Sequence, residues 1–109
     1  MSSVKTMYAV ARRNHFDPAA LARDSERFDE FQRVHAGQPG YAGNLLVDLG
    51  DGELFTVTLW DTEEHARAAF SALGPVVQRM LEPLMNAPSE LVATGHVLST
   101  DLPARPRES

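Results

Sequence analysis

Two strand-like runs, Tyr41 to Leu49 and Glu53 to Trp60, flank Gly50-Asp51-Gly52, and this pairing constrains the chain more than any other feature. Gly and Asp between alternating runs signal a β-hairpin, because both tolerate the positive φ that tight turns require. Setting Leu49 opposite Glu53 across a three-residue loop brings Val47 against Phe55, Leu45 against Val57 and Gly43 against Leu59. A slip of one residue would mix the two faces. One face is then apolar throughout, with Leu45, Val47, Phe55, Val57 and Leu59, while the other carries Asn44, Leu46, Thr56, Thr58 and Trp60. One layer of helices covers one face only, so the apolar face calls for a second sheet and predicts a homodimer.

The rest of the chain supplies the elements around that hairpin in the order β-α-β-β-α-β. Val4 to Asn14 reads as a first strand. Asp17-Pro18 offers an N-cap followed by a proline suited to the first helical position, and the helix runs to about Ala36, where Gly37 ends it. Leu21, Phe28, Phe31 and Val34 form its apolar stripe. Pro39-Gly40 turns the chain into the next strand. Thr62 caps a second helix with Glu63 and Glu64 in its first turn, and Ala66, Phe70, Leu73, Val77, Met80 and Leu84 point inward. Gly74-Pro75 predicts a break, with a further helical piece to about Asn86. Glu90 to Ser99 is the last strand. Residues 1–101 form one domain, and residues 102–109 are expected to be a flexible tail.

Composition narrows the chemistry. With no cysteine among 109 residues, disulfides, thiolate nucleophiles and cysteine-bound metals are excluded. The four histidines lack paired ligand spacing, so no metal site is expected. A net charge of -5 argues against nucleic acid or an anionic membrane as partner. No apolar run is long enough to span a bilayer, and the expected location is cytoplasmic.

Pro39-Gly40-Tyr41 at the start of the second strand and Leu59-Trp60-Asp61-Thr62-Glu63-Glu64 at the end of the third, within this element order, resemble the antibiotic biosynthesis monooxygenase family. The resemblance implies an α+β, ferredoxin-like monomer with an antiparallel sheet. It also implies that two monomers pair as a dimeric α+β barrel with a pocket between sheet and helices. Its members include cofactor-independent oxygenases that turn phenolic polyketides into quinones, quinol monooxygenases, proteins working with reduced flavin, and haem-degrading enzymes.

Compared residue by residue, the subfamily motifs are only partly present. The helix Trp and the haem-ligating His of haem-degrading members are replaced by Ala69 and by Gln78 or Arg79, and their first-strand Asn by Arg12. Polyketide-oxidising members share Trp60 but carry Asn and Tyr where this chain has Thr56 and Ala66. Quinol-oxidising members can place a His where His65 stands, but the second His they often carry is absent around Pro75 and Val76.

The expected activity is a small monooxygenase acting on a phenolic or polycyclic aromatic with dioxygen, without metal, haem or bound cofactor. Electrons come from the substrate, with reduced flavin as the diffusible alternative. His96 or His65 serves as general base, and Asn44 with Arg12 or Arg79 stabilises oxyanion charge. Trp60 stacks on the substrate beside Thr56, Thr58, Phe70 and Arg79. His15 and His35, near element ends, read as surface residues. The competing expectation is a non-catalytic small-molecule binding or accessory protein on the same fold.

Overall fold

A computed structural model describes residues 6–101. Val4, expected to open the first strand, and the tail at 102–109 lie outside the described residues. Four strands, β1 (Tyr8–Phe16), β2 (Tyr41–Gly50), β3 (Glu53–Trp60) and β4 (Met85–His96), form one antiparallel sheet in the order β2-β3-β1-β4. Helices α1 (Pro18–Arg23), α2 (Ser25–Ala36) and α3 (Glu63–Met80) connect them, and a 3-10 turn, Glu82–Leu84, leads into β4. This is the ferredoxin-like α+β arrangement. Among the described residues no helix is long and apolar enough to cross a membrane.

The hairpin register holds at Val47 with Phe55, Leu45 with Val57 and Gly43 with Leu59. It differs at the turn, where Glu53 faces Gly50 instead of Leu49. Asp51 and Gly52 both take positive φ, 56° and 83°, so two residues suffice to reverse the chain and Leu49 is accommodated as an irregularity. Strand β1 extends past Asn14 because the Phe16 N–H donates to the Gly52 carbonyl over 2.8 Å, holding the strand against the hairpin turn.

Local chemistry also places the helix boundaries. Asp17 caps α1 by accepting from the Ala19 and Ala20 N–H groups. The single helix expected up to Ala36 is divided at Asp24, whose backbone leaves the helical region at φ -131°, ψ 47°. Aspartate competes for backbone hydrogen bonds at such junctions, and the Asp24 carboxylate pairs with Arg27 Nε at 3.1 Å.

Helix α3 runs continuously through Pro75, contrary to the expected break. Pro75 removes one intrahelical bond, but Leu73 before it and Val76 and Val77 after it all pack on the core, and this burial holds the helix together. Helix α3 ends at Met80 and the 3-10 turn Glu82–Leu84 follows, so the helical piece expected to about Asn86 ends at Leu84, and β4 spans Met85–His96 instead of Glu90 to Ser99. Pro88 is tolerated inside β4 because that strand lies at the sheet edge and its register shifts between Arg13 and His15 of β1.

The helices cover one sheet face, where Phe16, Phe31, Leu54, Trp60, Ala66, Ala69, Leu73, Leu81 and Leu84 form the core. Phe70 was expected inward but is 68% exposed. The buried line of α3 is Ala66, Ala69 and Leu73, which turns Phe70 to the flank of the helix. The opposite sheet face, carrying Ala9, Ala11, Leu45, Val47, Phe55, Val57 and Leu59, has no helix over it, and Leu45 is 50% exposed.

Candidate functional site

Strand alternation fixes what the helix-covered face presents. The pairs Tyr8 with Trp60, Val10 with Thr58, Arg12 with Thr56 and Asn14 with Leu54 all project to the same side, joined by Asn44 and Leu46 from β2. Above them the helices leave a cavity of about 840 Å³. Phe28, Phe31, Gln32 and His35 of α2 and Ala66, Ala69, Phe70 and Leu73 of α3 form its roof, with Ser89, Leu91 and Thr94 of β4 at one side.

Six of the expected site residues meet in this cavity: Arg12, Asn44, Thr56, Thr58, Trp60 and Phe70. Thr58, only 6% exposed, donates its hydroxyl to Asn44 Oδ1 over 2.7 Å. That bond satisfies a buried polar group and directs the Asn44 amide nitrogen away from β3. The Arg12 guanidinium donates to Ser89 Oγ at 3.2 Å and lies 5.5 Å from the Phe70 ring centroid. Trp60, 3% exposed, belongs to the core and to the cavity wall together.

Three expected residues lie elsewhere. His65 packs against the turn before β2, and its Nδ1 is 2.9 Å from the Thr62 hydroxyl. His96 stands edge-on to Tyr8 at 5.1 Å, with Nε2 3.8 Å from Glu63, and is largely exposed. Arg79 is exposed in the last turn of α3. None of the three is in the cavity lining.

Both histidines read as surface residues are instead partly enclosed. The His35 ring stacks on Phe31 at 5.6 Å and meets Tyr41 and Trp60 edge-on at 5.4 and 5.8 Å. Burial pushes its pKa down, which keeps the imidazole neutral near neutral pH. The signal was present in the sequence: Gln32 and His35 each follow an apolar stripe residue, Phe28 and Phe31, by four positions, and so share its helix face. His15 lies on the far side of the sheet, its Nδ1 2.6 Å from Glu53 Oε2 and its Nε2 3.4 Å from Glu90. The hydrogen bond to Glu53 raises the His15 pKa and, with Arg13, lowers that of Glu53.

The cavity thus offers aromatic and aliphatic walls with directed polar groups among them: the Asn44 amide, the Arg12 guanidinium, the neutral His35 imidazole and the ion pair of Glu63 with Arg67. Such a site suits a flat, mostly apolar molecule with polar substituents.

No protein-family model and no curated protein matches the sequence. Solved structures do match in shape. A protein of unknown function from Nitrosomonas europaea, NE2512, aligns at a TM-score of 0.74 with 14% identity, covering 94% of this chain and 100% of that one. SnoaB from Streptomyces nogalater, a cofactor-independent oxygenase crystallised in a mutant form, aligns at 0.69 with 19% identity, covering 90% and 99%. A second Nitrosomonas europaea protein, provisionally assigned as an antibiotic biosynthesis monooxygenase, aligns at 0.67 with 14% identity, covering 86% and 92%. At these identities the likeness is one of fold, and this chain has the ferredoxin-like α+β fold of the antibiotic biosynthesis monooxygenase structures, as the sequence resemblance implied.

Proposed function

We propose that the protein is a small monooxygenase that oxidises a phenolic or polycyclic aromatic with dioxygen, using the substrate's own electrons, and that it works as a homodimer. The observation carrying this reading is the cavity itself, in which Trp60 and the Phe28 and Phe31 walls meet the Asn44 amide and the neutral His35. Two structures with this fold, SnoaB and the second Nitrosomonas protein, carry oxygenase names, which supports the kind of reaction.

For an anthrone the chemistry balances without further reagents. Loss of a ring proton gives an electron-rich anion that reduces dioxygen; one oxygen atom becomes the new ring carbonyl and the other leaves as water. A base and an anion-stabilising donor are what the protein must add. His35 is the imidazole within the cavity, which makes it a better placed base than His65 or His96, and Asn44 supplies the donor. The uncovered apolar sheet face supports the homodimer.

The position of His65 and His96 outside the cavity lining favours a second reading, a non-catalytic carrier of the same class of molecule. Oxygen uptake with a panel of anthrones, naphthols and hydroquinones, with and without reduced flavin and without added metal, separates the two. Uptake with quinone formation supports the oxygenase. Tight binding without uptake replaces it with the carrier, and absence of both removes each reading.

A further inference from the structure

The described arginines are either ion-paired or exposed to solvent, with one informative exception. Arg13 pairs with Glu53, Arg27 with Asp24, Arg33 with Glu30 and Arg67 with Glu63, while Arg23 and Arg79 are exposed to solvent. Arg12 is half-buried in the cavity floor and has no carboxylate partner among the described residues. Of the five N–H donors of a guanidinium, its contacts there engage one, through Ser89. Phe70 adds only its ring face. A cation taken partly out of water without a counter-charge is costly, and burial pushes the Arg12 pKa down accordingly. A planar fork with free donors is the shape that a carboxylate fits by two parallel hydrogen bonds.

The cavity has a polarity along β1. Glu63, the carboxylate in its lining, is committed to Arg67 at 2.6 Å and sits near His96, at the Tyr8 end of the strand. Arg12 lies four residues further along β1, roughly 13 Å at about 3.3 Å per residue. The carboxylate at the Tyr8 end is thus neutralised by Arg67, which also lines the cavity, whereas the Arg12 guanidinium at the other end has no counter-charge; Trp60, paired to Tyr8, stands at the neutralised end.

We infer that the cavity binds an aromatic monocarboxylate of two or three fused rings, its carboxylate on the Arg12 guanidinium and its ring system extending towards Trp60. This deepens the proposed function and rests on the cavity being the substrate site; it makes Arg12 a permanent anion anchor in place of the transient oxyanion role expected from the sequence.

The test compares 2-naphthoate with its neutral near-isostere 2-naphthamide, read by quenching of Trp60, the single tryptophan of the chain, and by calorimetry. A charge-assisted pair predicts about ten- to a hundredfold tighter binding of the naphthoate. Arg12→Gln should reduce naphthoate affinity to about the naphthamide level and change naphthamide affinity far less, with circular dichroism reporting the fold of the variant. The comparison on the unaltered protein stands even if that variant fails to fold. Equal affinity for the two probes, binding of neither, or a preference that survives Arg12→Gln overturns the inference. A clear naphthoate preference without oxygen uptake on any phenol removes the oxygenase reading alone, and turnover of anthrones without that preference removes the anchor alone.

Discussion

Thr58 on β3 hands its hydroxyl hydrogen to Asn44 on β2 over 2.7 Å, and the two residues are direct partners in the strand register. Thr58→Val keeps the shape of the strand but leaves the Asn44 oxygen without its donor. We expect a loss of about 1 kcal/mol in urea unfolding, the usual worth of such a bond, with Thr58→Ser losing less because it keeps the hydroxyl. If Asn44 is the anion-stabilising donor, Thr58→Val also lowers kcat on a turned-over phenol more than it raises KM. Unchanged stability in Thr58→Val would mean that the bond contributes nothing.

Gly40 and His65 fit together with no space between them. A Cβ on Gly40 would lie 2.2 Å from His65 Cγ, and Gly40 has a φ of 81°. Gly40→Ala should cost about 2 to 4 kcal/mol, summing a left-handed backbone and an overpacked contact. Adding His65→Ala should recover roughly the contact share and leave the backbone share, a split measured by a double-variant cycle. Full recovery would assign the whole cost to the clash.

His15 and His35 should titrate on opposite sides of the ordinary histidine pKa of about 6.5. Hydrogen bonding to Glu53 raises His15, so its stabilising contribution is complete below that value and is lost as pH rises through the raised one. His35 is lowered by burial, so the unfolded chain binds its proton more readily, and stability from this site falls as pH drops below the ordinary value. Glu53, lowered by His15 and Arg13, loses its contribution only as pH falls through its depressed pKa. NMR titration of the four histidines checks the order directly. His15→Gln should flatten the alkaline side of the stability profile and His35→Gln the acid side. A His35 that titrates above His15 contradicts both assignments.

Leu45 stands half-exposed on the apolar sheet face opposite the cavity. Leu45→Glu should leave the monomer fold intact and convert a sedimenting dimer to monomer at micromolar concentration. A native protein that already sediments as a monomer at that concentration removes the homodimer.

Much of the fold was legible in the chain because its signals are local. The turn at Gly50-Asp51-Gly52, the Asp17 and Thr62 caps and the two-residue alternation of β2 and β3 act over a few residues and survived folding, with the turn shortened from three residues to Asp51-Gly52. The misread boundaries are places where packing overrode local preference. Pro75 stays inside α3 because its neighbours are held by the core, and Pro88 enters β4 because an edge strand can spare an N–H. The mixed hairpin face, with Asn44, Thr56, Thr58 and Trp60, was readable as one surface, since alternation alone puts those side chains together.

Which groups share that surface with them was a tertiary decision. Whether Arg12 or Arg13 of β1 points inward depends on the pairing of Arg12 with Thr56, a contact between strands far apart in sequence. The roles of the histidines depend on how α2 and α3 are rotated about their axes: the packed orientation brings His35 over Trp60 and leaves His65 against Gly40. The sequence by itself determined the element order, the hairpin register away from the turn and the two-faced sheet, because these follow from bonds and periods within a segment. Only the tertiary structure decided which histidine enters the cavity and which arginine is half-buried without a counter-charge, because burial and pairing are properties of the assembled layers.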